Sequence, residues 1–131
     1  MAFPRLSALA FMALGLISLG LCPAAAQAHA VLLASVPAAG GTVPEGATAI
    51  RLRFNSLVDH VRSRLTLIGP DHGETVLKID PDTADEVLAS QAELAPGACI
   101  LRWQVLAVDG HITRGEVAVI VLAAPPPPKG R

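Results

Sequence analysis

Between Thr48 and Phe54 apolar and polar residues alternate, with Ile50, Leu52 and Phe54 in one phase and Arg51 and Arg53 in the other. Side chains leave an extended strand on opposite faces at every step, so this stretch fits a strand with one face in a core and one in water. The same period returns through Leu65 and Leu67 in Arg64 to Ile68. It returns again through Cys99, Leu101, Trp103 and Val105 in Ala98 to Ala107, read as the longest strand, and through Val117, Val119 and Val121 in Gly115 to Leu122. No window sustains the period of a helix.

Turn chemistry separates these strands. Ala30 to Val36 reads as a first strand, stopped by Pro37 and Gly40-Gly41, and Asn55 to Arg62 as a loop or short helical turn. Gly69-Pro70-Asp71-His72-Gly73 joins Arg64–Ile68 to a partner strand over Glu74 to Ile79. An acidic loop from Asp80 to Asp85 precedes a short strand begun by Val87 and Leu88, and Ala95-Pro96-Gly97 opens the Ala98 strand. Asp109 to Arg114 forms the loop before the last strand. About seven strands with turns and no helices predict an all-β antiparallel sandwich with Greek-key connections.

The chain has 131 residues and opens with Arg5, an apolar run from Leu6 to Leu21, and Ala26-Gln27-Ala28. That is the charged, apolar and A-x-A layout of a secretory leader, with the cut expected after Ala28. An uncleaved anchor is the competing reading, and a lipoprotein is disfavoured because the large Leu21 precedes Cys22. Residues 1–28 are therefore read as signal peptide, 29–123 as one domain and 124–131, with Pro125 to Pro128, as an extended tail. After Ala28 no stretch reaches the roughly 18 apolar residues of a membrane span. The expected product is exported to the periplasm and is not membrane-spanning.

Removing 28 of 131 residues leaves 103, with nine basic and eleven acidic side chains. Neither a basic patch nor an RNA-type aromatic motif is present, which disfavours nucleic acid as a partner. Cys99 alone remains after cleavage, so no intrachain disulfide forms, and its alternating position marks a buried thiol.

Cleavage after Ala28 makes His29 the first residue. A first-position histidine offers its α-amino nitrogen and its ring to one ion, a chelate that an internal histidine cannot make. Asp109-Gly110-His111 brings a second imidazole and a carboxylate on one loop. Nitrogens and an oxygen in a tetragonal set suit Cu(II), which heads the divalent affinity order, whereas Zn(II) favours a tetrahedral set richer in histidine or thiolate. Both methionines, Met1 and Met12, lie in the leader, so a thioether Cu(I) site is excluded after cleavage. Taken alone, His111 also reads as a loop histidine bonded to backbone, since Asp-Gly-His is ordinary turn chemistry. His60, beside Asp59, reads as a solvated side chain and His72 as part of a turn.

The start His29-Ala30-Val31-Leu32 followed by Ser35-Val36-Pro37-Ala38 resembles the CopC family of periplasmic copper-resistance proteins. So do Ile50-Arg51-Leu52-Arg53-Phe54, Pro96-Gly97, Arg102-Trp103-Gln104-Val105 and Asp109-Gly110-His111 before Gly115. The resemblance spans essentially all of the chain after the leader. It implies an immunoglobulin-like β-sandwich with one Cu(II) held in a histidine brace, the metal ligands falling on His29, Asp109 and His111. It also implies a partner, an inner-membrane copper protein of the CopD type or another periplasmic copper carrier. Two departures stand out: the turn near Gly69 to Gly73 lacks the methionines of members with a Cu(I) site, and Asn55-Ser56 stands where many members have an acidic residue.

The expected function is a non-enzymatic Cu(II)-binding protein that stores, buffers or delivers copper. Two other classes compete. A histidine brace also serves polysaccharide monooxygenases, but these want exposed aromatics, and Phe54 and Trp103 both fall on inward faces. A metal-free immunoglobulin-like interaction module would make the histidine start accidental. No serine or cysteine sits in a recognisable nucleophile motif.

Overall fold

The phase that puts Ile50, Leu52 and Phe54 together also buries them: all three are at most 1% exposed, while Arg51 and Arg53 stand in water. The computed structural model describes residues 29–130, so the expected leader lies outside the described residues. Eight strands run β1 (Leu32–Val36), β2 (Thr42–Pro44), β3 (Gly46–Phe54), β4 (Arg64–Ile68), β5 (Glu74–Leu77), β6 (Val87–Leu94), β7 (Gly97–Leu106) and β8 (Ile112–Leu122). They form two sheets, one ordered β1-β3-β6 and the other β2-β8-β7-β4-β5. The result is an immunoglobulin-like β-sandwich, as the alternation and the resemblance lead one to expect, and no described residue is helical.

The chain passes between the sheets at β1–β2, β2–β3, β3–β4, β5–β6 and β6–β7, so the two sheets are built from interleaved stretches of chain. Between them lies one core whose centre is Ile50, Leu52, Phe54, Leu65, Leu88, Leu101, Val105, Val117 and Val119. Each such aliphatic or aromatic side chain, fully buried, contributes about 1.5–3 kcal/mol of transfer free energy. Phe54 meets Trp103 edge to face at 5.1 Å, tying β3 to β7 across the layers.

Several boundaries depart from the expected ones. β8 begins at Ile112, not Gly115, and at eleven residues it is the longest strand, one longer than β7. β6 runs for eight residues, all paired with β3, and on its other edge the Asp80 N–H donates to the Ala89 carbonyl at 2.8 Å and Ser90 Oγ donates to the Lys78 carbonyl at 2.6 Å. The segment before β6 thus lies along its free edge, opposite β3. β2 pairs parallel with β8, Thr42 to Ile120 through Pro44 to Leu122, the one parallel pair among antiparallel ones. Asn55 to Arg62 is a chain of turns pinned by a Val58–Ala107 bridge, with no helix.

Candidate metal centre

β7 and β8 pair from Gly97–Val121 to Leu106–Ile112, so the connection between them is short and fixed at both ends. Ala107 N–H donates to the His111 carbonyl at 2.9 Å and Gly110 N–H to the Ala107 carbonyl at 2.9 Å. Gly110 sits at φ +90°, a left-handed conformation that costs a residue with a Cβ. Asp109 completes the turn by accepting the His111 N–H on Oδ1 at 3.0 Å, while its Oδ2 lies 3.1 Å from His111 Nδ1. Both carboxylate oxygens therefore address one residue.

This geometry has two electrostatic results. The His111 N–H above all, with the His111 ring adding to it, holds the Asp109 carboxyl below the ordinary carboxylate range. A carboxylate on Nδ1 also favours the tautomer with its proton there, leaving Nε2 as the free lone pair of His111.

His29 reaches this turn from the other sheet. Ala30, at 1% exposure, is part of the core, so the residue before it emerges at the end of the sandwich. There the His29 ring stands 5.3 Å from the His111 ring, centroid to centroid, at an interplanar angle of 76°. Two residues on, Val31 is held by Asn55 just past β3: Val31 N–H donates to Asn55 Oδ1 at 2.7 Å and Asn55 N–H donates to the Val31 carbonyl at 3.0 Å.

The structure thus brings His29, Asp109 and His111 to one exposed end of the sandwich. Among the described residues no group of three or more His, Cys, Asp or Glu side chains closes into a metal-binding cluster. Two imidazoles and a carboxylate that is occupied by one of them are what the side chains supply.

The other candidates lie elsewhere. His60 Nε2 is 2.8 Å from the Val87 carbonyl, a part-buried structural contact and not the solvated side chain expected. His72 occupies the β4–β5 turn at φ +66°, exposed, beside the Gly97 end of β7 and so at the opposite end of the sandwich. Cys99 is 1% exposed, and the seven residues from it to Leu106 span about 23 Å of strand. Its thiol is pushed up by burial and then by the Asp71 carboxylate, and it plays no part at the His111 end. Asn55, which the sequence offers only as the place of a missing carboxylate, is instead in contact with the His29 segment.

A model of the CopC domain matches residues 32–120. The chain belongs to the CopC family. Among curated relatives, the protein YobA of Escherichia coli strain K12 is 30% identical over 109 residues, covering 79% of this chain and 87% of its own. Among solved structures, CopC from Methylosinus trichosporium OB3b superposes with a TM-score of 0.65 at 25% identity, over 74% of this chain and 97% of the other. PcoC of Escherichia coli, a methionine-rich copper resistance protein, gives a TM-score of 0.56 at 25% identity, over 71% and 98%. This CopC-family chain differs from PcoC in one respect visible at once: it has no methionine after Met12. No described helix is long and apolar enough to cross a membrane.

Proposed function

We propose that the protein is a periplasmic Cu(II) carrier that binds one ion at His29 and His111 after cleavage behind Ala28. The observation that carries this reading is the meeting of the His29 and His111 rings at 5.3 Å on the end of a CopC-family sandwich. In the full chain the nitrogen of His29 is a peptide nitrogen. Cleavage turns it into an amine, which adds the donor that the side chains alone do not provide.

The donor set fits oxidised copper. An amine and imidazoles suit Cu(II), and a chain without thioether past residue 28 offers nothing to select Cu(I). Asp109 acts on His111, holding Nδ1 so that Nε2 is presented to the ion, as carboxylates behind ligating imidazoles do elsewhere. Binding and release, without turnover, is the supported mode. Phe54 and Trp103, the only Phe, Tyr or Trp after the leader, are 1% and 6% exposed, so no aromatic platform for a glycan borders the site. An exposed ion held by two residues can pass by direct contact to a partner, for which an inner-membrane copper protein of the CopD type or another periplasmic carrier is proposed.

The test is a Cu(II) titration followed by EPR on protein starting at His29, beside the same protein with one alanine added in front. A tight, nitrogen-rich tetragonal signal in the first and its loss in the second is the expected result. Equal binding in both would remove the amine from the site and end the reading.

A further inference from the structure

The terminal segment that carries His29 lies beyond the end of β1, and the β1–β3 ladder stops supporting it just where support is needed. Leu32 pairs with Phe54, but the register shifts between Leu32 and Ala34, leaving Leu33 as an extra residue in the edge strand. Such bulges bend the strand and end regular pairing. The next pair outward would be Val31 with Asn55, each exchanging N–H and carbonyl with the other. Half of that exchange is present: Asn55 N–H donates to the Val31 carbonyl at 3.0 Å. The other half is made by a side chain, Asn55 Oδ1 accepting the Val31 N–H at the shorter distance of 2.7 Å.

We infer that Asn55 is a positioning residue for the metal site, its amide oxygen replacing a backbone carbonyl to fix the His29 segment beside His111. Substituting a side-chain acceptor lets the main chain leave β3 after Asn55 and cross towards Val58, whose N–H bonds the Asp85 carbonyl at 2.8 Å, without releasing Val31. The anchor is firm, because Asn55 follows Phe54, which is 1% exposed and packed on Trp103. Ala30 in the core and Val31 on Asn55 then form two successive pins, and His29 is the next residue out. A terminus pinned this way loses less freedom when it binds an ion than a frayed one, which is preorganisation of the site.

This role rests on the copper reading above, so its test carries both arms. Protein starting at His29 is compared with Asn55→Ala and Asn55→Asp, the latter keeping an acceptor oxygen in the same place. Amide hydrogen exchange of the metal-free proteins and Cu(II) affinity with EPR are measured on all three. In Asn55→Ala the Val31 amide is expected to lose protection while Ile50 and Leu52 keep theirs, and Cu(II) affinity to fall about fivefold or more, the effect of one net hydrogen bond. Asn55→Asp is expected to restore Val31 protection and affinity with an unchanged spectrum. Unaltered affinity in Asn55→Ala, failure of Asn55→Asp to restore it, or restoration with a shifted spectrum (the new carboxylate binding the ion) would each overturn the positioning role. If the unmodified protein gives no tight tetragonal signal, the copper reading itself fails and the role goes with it. The exchange data still report whether Asn55 holds Val31.

Discussion

Gly115 of β8 lies directly beneath the indole of Trp103: a Cβ built on it would sit 2.7 Å from Cε2 and closer still to Cζ2. The two residues are register partners across β7 and β8, and the ring fills the space that a side chain would take. Trp103 cannot retreat, because Phe54 packs on its other side at 5.1 Å. Gly115→Ala is therefore expected to destabilise the fold by about 1–3 kcal/mol through overpacking. Urea denaturation checks it, with Gly130→Ala, which meets nothing within 4 Å, as the variant that leaves the midpoint unmoved.

Asp109→Asn removes the charge that sits 3.1 Å from His111 Nδ1 but keeps an oxygen for the His111 N–H. The turn is expected to survive and the preference for the free Nε2 to weaken. Copper affinity should fall about 10- to 100-fold, the usual range for the loss of an orienting partner behind a metal ligand. Calorimetric titration of the two proteins, with circular dichroism to show equal folding, decides it. Affinity within twofold of the unmodified protein would mean that Asp109 serves the turn alone.

Much of the fold is legible in the chain because β3, β7 and β8 bury one face and leave the other more exposed, which writes a period of two into Ile50, Leu52, Phe54, Leu101, Trp103, Val117 and Val119. Other parts leave no such trace. β2 is three residues ending in Pro44, and its parallel partner, Ile120 to Leu122, lies about 80 residues on. The middle of β6, Ala89-Ser90-Gln91-Ala92, is small and polar, and Ala89 and Ser90 are bonded there to the Lys78–Asp80 stretch, a contact that no period in the chain announces. The onset of β8 at Ile112 falls inside Asp109 to Arg114, which reads as a loop, and Gly115, read as the first residue of the strand, lies within it against Trp103. At the site, the likeness to the CopC family suggests that His29 and His111 meet, while no spacing in the sequence does. The Asn55–Val31 pairing is a side chain standing in for backbone, and that has no period to find.

Acid should act on the metal end of the sandwich in two separate stages. Asp109 has its carboxyl held below the ordinary range, chiefly by the His111 N–H, so the folded form favours the carboxylate. The stabilisation this gives is fully present above the carboxyl's unfolded-state value of about 3.9 and is lost as pH falls through the lower folded value. Copper leaves earlier than that. A free α-amine, with an ordinary pKa of about 8, must give up its proton to bind, and the imidazoles must be neutral, so affinity is expected to drop steadily from pH 8 to pH 5 while the turn stays intact. Competition titrations across that range, alongside the amide exchange rate of His111, separate the two events. A metal affinity flat in pH would exclude the amine and the imidazoles as ligands.

Cys99 provides a probe of the sandwich that does not touch the site. Its Sγ is in contact with the Ala95 carbonyl at 3.7 Å, the residue is 1% exposed, and burial followed by the Asp71 charge pushes the thiol above its ordinary value. The reactive species is the thiolate, which the fold thus suppresses twice, by access and by proton affinity. Because the folded value is raised, the fold favours the neutral thiol, and the associated stabilisation disappears only as pH climbs above the unfolded-state value of about 8.5. At pH 7.5 a disulfide reagent such as dithiobis-nitrobenzoate is expected to label the native protein only as fast as the domain opens, and to label it at once in denaturant. Copper, bound at His29 and His111 as proposed, would stabilise the folded state and so should slow the labelling further, by the factor set by ion concentration over its dissociation constant. Rapid labelling of the native protein, unaffected by copper, would show that the Gly97 end of β7 opens independently of the core.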